Sequence, residues 1–189
     1  MKLNLGCGFK KLEGYVNVDR FPDCAPDAVV DLERFPWPWG DDSVDEILMS
    51  HVLEHLGAAA EVYFGIFREL YRVCRHDAVL RITVPHPRHD SYIADPTHVR
   101  PITVDGLSMF SRRLCEDWIR NGSANTPLAI MVGVDFEITK TSLVLEKDWR
   151  SRFDLGKVSN LEMARAIKEL NNVVAETAIV MRCVKRYDG

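Results

Sequence analysis

Short apolar runs alternate along the chain with stretches in which apolar residues recur at intervals of three and four. That is the pattern of a mostly parallel sheet flanked by helices. It predicts strands at Leu3–Leu5, Tyr15–Val18, Ala28–Val30, Val44–Met49 and Val79–Val84. A helix is predicted from about Ala58 to Cys74, with Tyr63, Ile66, Phe67, Leu70, Tyr71 and Cys74 on one buried stripe. Pro85–Pro101 then holds four prolines and three histidines without the Gly/Ser bias of a flexible spacer, and reads as an ordered functional loop. A short helix is expected over Val104–Arg113, and long strands over Phe136–Leu145 and Val173–Val184. Between those strands, Ser159 and Glu162 form a capping-box signature, continued by an apolar stripe of Leu161, Ala164, Ile167 and Leu170.

Length changes the picture first. With 189 residues and 21.6 kDa, one domain over residues 1–189 is expected. Residues 1–85 form its cofactor-binding half, and residues 86–189 its acceptor-side loop, helices and C-terminal strands. Apolar residues at 47% and charged residues at 28% exclude disordered and fibrous classes. A net charge of -4 argues against nucleic acid as a partner. The five cysteines are scattered and form no C-x-x-C, so neither a disulfide framework nor a zinc ribbon is expected. No apolar run reaches the roughly 20 residues of a membrane helix, and Met1 to Tyr15 hold no uninterrupted apolar core of the signal-peptide kind. The expected location is the cytoplasm.

The sharpest chemical signal is Leu3-Asn4-Leu5-Gly6-Cys7-Gly8, an apolar strand running into a G-x-G turn. Glycine there permits positive φ and close approach of the backbone to a ligand. Asp19 ends the next strand, where an acid in nucleotide-binding α/β folds accepts hydrogen bonds from ribose hydroxyls. A dinucleotide fingerprint is not completed, because the place of its third glycine is Lys11. Only Phe9 to Tyr15 separate the turn from the next strand, too few for a crossover unit of about 10–12 residues. An adenosine ligand without a pyrophosphate fits better. His51 and His55 share a helical face but lack a third local ligand and the H-E-x-x-H order. His86, His89, Asp90, Asp95 and His98 match no standard metal spacing, so no metal is expected.

These blocks together resemble the class I S-adenosylmethionine-dependent methyltransferases, above all the small-molecule group called type 11. Leu3–Gly8 resembles the first cofactor motif (Gly6, Cys7, Gly8), and Val16–Asp19, followed by Arg20, resembles the strand whose acid binds ribose. Asp31-Leu32, with Phe35-Pro36-Trp37 and Asp42-Ser43-Val44-Asp45 after it, is similar to the stretch that meets adenine. Ser50-His51-Val52-Leu53-Glu54-His55 matches the segment beside the methionine part of the cofactor, which implicates Ser50, His51 and Glu54. Glu69-Leu70-Tyr71-Arg72-Val73 matches the helix before the fifth strand. The resemblance implies S-adenosyl-L-methionine as cofactor. It also implies a Rossmann-like α/β fold with a mostly parallel seven-stranded sheet and helices on both faces, reduced at the N-terminus. Two departures stand out. Arg75-His76-Asp77 replaces the usual Pro-Gly-Gly, and the helices that often precede the first strand and cover the site are missing, because the glycine turn begins at Gly6.

Methyl transfer needs alignment and desolvation, and a hydroxyl acceptor also needs a base of near-neutral pKa. His86, His89 and His98, together with Asp90, Tyr92, Asp95 and Arg100, supply candidates in the loop after the fifth strand. Asp95-Pro96-Thr97-His98-Val99-Arg100-Pro101 resembles a run in methyltransferases of glycan pathways. The Asn/Asp-Pro-Pro-aromatic run of base-amine methyltransferases is absent after the fourth strand, where Ser50-His51-Val52-Leu53 stands. Arg112, Arg113, Arg120, Arg150 and Arg152 offer either contacts to an anionic acceptor or plain solvated surface. The expectation is O-methylation of a small-molecule or glycan acceptor, with a homodimer allowed and a partner subunit as one way to close the site. Two alternatives remain, a non-catalytic cofactor-binding subunit and a nicotinamide-dependent oxidoreductase.

Overall fold

In the computed structural model, which describes residues 1–185, the strands are β1 (Lys2–Leu5), β2 (Val16–Asp19), β3 (Ala28–Val29), β4 (Val44–Ser50), β5 (Cys74–Pro85), β6 (Phe136–Leu145) and β7 (Val174–Cys183). The last four residues of the expected 189-residue unit lie outside the described residues. The helices are α1 (Ala60–Val73), α2 (Asp90–Ile93), α3 (Val104–Ser108), α4 (Arg112–Arg120), α5 (Leu128–Val132), α6 (Lys147–Asp154) and α7 (Asn160–Glu169). Together they form an α/β fold around one seven-stranded sheet of order β3-β2-β1-β4-β5-β7-β6. The β3 to β5 block is parallel, whereas β7 runs antiparallel to both β5 and β6. Strand order reverses between β1 and β4, so the carboxyl ends of β1, β2 and β4 open onto a topological switch point.

Apolar side chains of the sheet and of α1 form the main core. Phe67 of α1 stacks on Phe110 at 3.7 Å between centroids, and Phe136 at the start of β6 meets it edge-on at 6.0 Å. No helix among the described residues is long and apolar enough to cross a membrane. All five cysteines are free thiols.

Parallel β1 and β2 are joined without a crossover helix, and buried amides hold the connection instead. The Asn17 carbonyl accepts from Leu12 N at 2.8 Å and from Asn4 Nδ2 at 2.9 Å. Its Nδ2 donates to Asp27 Oδ2 at 2.9 Å and to Leu12 O at 3.2 Å. Replacing Asn17 by alanine orphans several of these buried groups. The expected cost is about 2–4 kcal/mol, a fall of about 5–15 °C in Tm for a chain of this size, read by thermal unfolding.

Two element boundaries and one buried helix face differ from the pattern-based expectation. Cys74 does not close the helix; it opens β5 opposite Val44, and the ladder resumes only at Glu46–Val79. The residues in place of Pro-Gly-Gly therefore form an irregularity inside a strand, with Asp77 at φ +64° and Arg75 paired to Asp45 at 2.7 Å. The stretch Val104–Arg113 breaks into α3 and the start of α4, because the Ser111 hydroxyl accepts from Leu114 N and caps a new helix. On α7 the capping box forms as expected. Its buried residues are Met163 and Ala166, however, while Leu161 is 81% exposed. The helix covers a small second cluster with Val158 and Val173, and that neighbour selects the face.

Candidate active site

Each strand end at the switch point contributes one wall. Beyond β1, Gly6 turns at φ +65°, and a Cβ there would lie 2.4 Å from Val52 Cγ2. Only glycine allows the two chain segments this approach. Cys7 N bonds Val18 O at 2.9 Å, which brings Gly8 N to within 2.8 Å of Asp19 Oδ2. Phe21 N donates to Asp19 Oδ1 at 3.0 Å. Each oxygen of this carboxylate thus accepts one main-chain N–H and retains a further lone pair.

Past β3 the chain is tied back by Val30 N to Asp19 O at 3.0 Å. Asp31 Oδ1 accepts from Glu33 N at 3.0 Å, and Leu32 O accepts from Trp37 Nε1 at 3.1 Å. Trp37 is anchored in turn. Its N–H donates to Glu69 Oε2 at 2.6 Å, and Arg72 grips the same carboxylate through Nε and Nη2. This explains why Glu69 and Arg72 accompany Asp31-Leu32 in the sequence, since α1 holds the loop that forms that wall. The Arg72 guanidinium keeps the Glu69 carboxyl below the usual carboxylate range. Because the folded value is depressed, the stabilisation is complete above the unfolded value of about 4.3 and is lost as pH falls through the folded one. Urea unfolding is expected to show a steeper loss of stability below about pH 4.5 in the parent than in Glu69→Gln.

At the end of β4 the backbone turns sharply. His51 takes φ +56°, a conformation uncommon for a non-glycine residue, and its N–H donates to Thr83 O at 2.8 Å. Its imidazole lies between two carboxylates, with Nε2 3.1 Å from Glu176 Oε1 and Nδ1 3.6 Å from Glu54 Oε1. Glu54, then Glu176, raise its pKa above the ordinary histidine value against the opposing effect of burial. A single 3₁₀ turn, Leu53–His55, follows. Val99 N bonds Glu54 O at 2.9 Å and Arg100 Nη2 bonds Gly57 O at 2.7 Å, which docks the loop after β5 onto this turn.

These walls enclose a cavity of about 600 Å³, within the range of small-molecule sites. It is lined by Gly6, Asp19, Arg20, Phe21, Val30, Asp31, Leu32, His51, Val52, His55, Leu56, Thr97 and Val99. Six of the residues expected on the cofactor side are therefore brought together: Gly6, Asp19, Arg20, Asp31, Leu32 and His51. Cys7 and Gly8 shape the turn behind the wall, Ser50 ends β4 beside it, and Glu54 is fully buried. Cys7 is itself buried, which pushes its thiol pKa up.

The three histidines expected at the acceptor end are placed differently from one another, and none lines the cavity. His86 N is bonded to Ala175 O, and burial lowers its imidazole pKa. His89 caps α2 through Ser91 N and meets Glu146 Oε2 at 3.1 Å. His98 stacks on Tyr92, 5.1 Å between centroids, and lies 4.6 Å from the His55 ring, which does face the cavity. The arginines considered for an anionic acceptor are engaged locally. Arg112 pairs with Glu116, Arg113 with Asp117 and Glu137, Arg120 with Asp117, and Arg150 with Asp154, while Arg152 lies over Trp149.

His55 was weighed with His51 as a metal pair and set aside, and Thr97 and Val99 were visible only as neighbours of other candidates. Phe21, Val30, Val52 and Leu56 had no chemical signal at all. Phe21, Val30 and Val52 follow strand ends closely, whereas Thr97 and Val99 join them because the loop after β5 docks onto the Leu53–His55 turn.

Among solved structures, the chain is similar to a SAM-dependent methyltransferase from Archaeoglobus fulgidus, with 19% identity over 96% of this chain and 85% of that one, at a TM-score of 0.63. It is also similar to one from Methanosarcina mazei, with 13% identity, 98% and 92% coverage and a TM-score of 0.57. This is the class I methyltransferase fold. The fold carries other chemistry too, since the [4+2]-cyclase SpnF shares it with this chain at 15% identity, 98% and 74% coverage and a TM-score of 0.53. No protein-family model and no curated protein matches the chain. Function therefore has to be argued from the site.

Proposed function

We propose that the protein is an S-adenosylmethionine-dependent methyltransferase acting on a small-molecule or glycan acceptor, with oxygen as the atom methylated. The observation that carries this reading is the Asp19 carboxylate. Two loop amides fix it at the end of β2, with spare acceptor capacity, in one cavity with Gly6, Asp31 and Leu32. That arrangement fits a ribose diol and an adenine. The helix-free connection between β1 and β2 supports the choice over a nicotinamide dinucleotide, because no helix N-terminus is offered there to a pyrophosphate.

Bound in the cavity, S-adenosylmethionine supplies a methyl group made electrophilic by its sulfonium. Gly6 leaves the main chain free to approach the ligand, and Asp19 fixes the ribose. The segment Asp31-Leu32 receives the base. His51 and His55 are the imidazoles on the cavity wall, and His51, whose Nε2 exchanges Glu176 for the acceptor, is the proposed base for the acceptor's proton. His98 stands one ring behind His55, while His86 and His89 hold the loop to β7 and Glu146. Chemistry then consists of a bond from acceptor oxygen to methyl carbon forming as the carbon–sulfur bond breaks, with the electron pair leaving on sulfur.

Release of S-adenosylhomocysteine across a panel of hydroxylated acceptors tests this. The expected result is turnover on at least one acceptor, lowered about 100-fold or more in His51→Ala. Tight binding of S-adenosylhomocysteine with no turnover on any acceptor would favour the non-catalytic subunit.

A further inference from the structure

Behind the cavity wall, three ligand-type side chains converge on a point that nothing fills. Glu54 is fully buried, and neither carboxylate oxygen has a hydrogen-bond partner among the described residues. The nearest imidazole nitrogen is His51 Nδ1, 3.6 Å away, on a ring whose Nε2 is held by Glu176. One ligand atom from each of Glu54, His55 and His98 lies within 4.8 Å of the other two.

The protons of this cluster can be assigned from chemistry. His98 Nδ1 lies 2.7 Å from Tyr92 O, and a carbonyl only accepts, so Nδ1 carries a proton and, in the neutral ring, Nε2 has the lone pair, 3.8 Å from Asp95 Oδ2. The Thr97 hydroxyl donates its proton to Asp95 Oδ1 at 2.6 Å. It must then accept from His55 Nδ1 at 2.9 Å, which leaves His55 Nε2 with a lone pair as well. With both rings neutral, a carboxylate and two imine nitrogens thus meet, and the imidazole donor nearest the carboxylate is His51 Nδ1 at 3.6 Å. One water has two protons and cannot satisfy three acceptors. Arg100, the nearby cation, donates through Nη2 to Gly57 O and lies over the face of Tyr63, while its buried Nε–H has no hydrogen-bond partner among the described residues and makes no ion pair with Glu54. An unpaired buried carboxylate is costly, and buried charges in proteins are paired or bind metal.

We propose that Glu54, His55 and His98 bind one divalent transition metal, with zinc the best match, at the wall of the cavity. Two imidazoles and a carboxylate make up the three-ligand set of zinc sites that keep a fourth position for water or substrate. Each histidine also has its second nitrogen fixed by an outer partner, Tyr92 O or Thr97 Oγ1, which is how ligating histidines are oriented. Zinc bonds of about 2.0–2.1 Å would draw the ligand atoms to about 3.4 Å apart, so the loop carrying His98 closes slightly on loading. Because His55 lines the cavity, an acceptor hydroxyl on the fourth position would ionise near neutral pH. The site does not depend on the methyltransferase reading, since its test reads metal and not turnover.

The experiment is metal analysis of protein purified without chelator, then calorimetric titration of chelator-stripped protein with Zn²⁺. Co²⁺ is added separately to read its visible ligand-field bands. The expected result is one saturable zinc site per chain and cobalt bands distinct from those of the aqueous ion. Affinity is expected to fall tenfold or more in His98→Asn and in Glu54→Gln, and by about 10-fold in Thr97→Val, which removes only the orienting hydroxyl. His89→Asn, outside the cluster, should bind as the parent does. Absence of saturable zinc binding by the stripped parent overturns the proposal without reference to any variant. So does zinc binding that His98→Asn and Glu54→Gln, both folded by circular dichroism, leave unchanged.

Discussion

Replacing Asp19 by alanine is expected to weaken S-adenosylhomocysteine binding by at least 100-fold in calorimetry. Two hydrogen bonds from ribose to a charged carboxylate contribute about 1.5–3 kcal/mol each, and every 1.4 kcal/mol is about tenfold in affinity. The alanine variant also releases Gly8 N and Phe21 N, both of which donate to the carboxylate in the parent, so the turn beside the ligand loosens. Asparagine is not a conservative replacement here. One of its two side-chain termini must be an NH₂ group, and each carboxylate oxygen it replaces faces a main-chain N–H. Asp19→Asn is therefore expected to lose nearly as much as Asp19→Ala. Binding by either variant at parental affinity would remove the central support for the proposed cofactor. A parallel titration with NAD, expected to show no saturable heat, separates the nicotinamide alternative.

The second large effect distinguishes two glycines that look equivalent in the motif. A Cβ at Gly6 would lie 2.4 Å and 2.9 Å from the two methyls of Val52, a branched, largely buried side chain with little freedom to move. A left-handed conformation adds about 1–2 kcal/mol for a non-glycine residue, and overpacking about 1–3 kcal/mol more. Gly6→Ala is thus expected to cost about 2–5 kcal/mol. Gly8 also has positive φ, at +50°, but nothing lies within 4 Å of a Cβ built there. Gly8→Ala is expected to cost only the conformational part, about 1–2 kcal/mol. The double variant Gly6→Ala/Val52→Ala relieves the clash but not the backbone strain, so it should be less than additive in denaturant unfolding. Equal destabilisation by Gly6→Ala and Gly8→Ala would show that contact with Val52 plays no part.

The same pair of glycines marks the boundary of what could be read from the chain. That a G-x-G turn follows the first strand and an acid ends the second is local information. Those residue types are demanded by φ angles and lone pairs within a few positions, so sequence alone pointed to Gly6, Gly8 and Asp19. Strand positions were legible for the same reason, since an alternation of apolar residues over five or six positions is its own signal. The missing crossover helix was legible too, because seven residues are too few to build one.

Partnership between distant segments was not legible. Which face of α7 is buried depended on a neighbouring cluster, and Met163 and Ala166 were chosen over Leu161 by that neighbour and not by periodicity. The three loop histidines share a composition, yet His86 and His89 face β7 and Glu146, while only His98 reaches the wall of the cavity by way of His55. Nothing in the local sequence distinguishes them, because the distinction is made by the path of the chain after β5 and by the Glu54 carbonyl that receives it. Glu54 makes the point most clearly. In the sequence it only resembles part of a cofactor motif, and packing alone shows a carboxylate sealed from water among three histidines, with His51 Nδ1 3.6 Å away and no hydrogen bond to either oxygen among the described residues. Sequence determined the fold and the end of the cavity formed by Gly6 and Asp19, where the requirements are local. Tertiary structure decided which side chains share a buried space, because burial and electrostatic partnership exist only once distant segments meet.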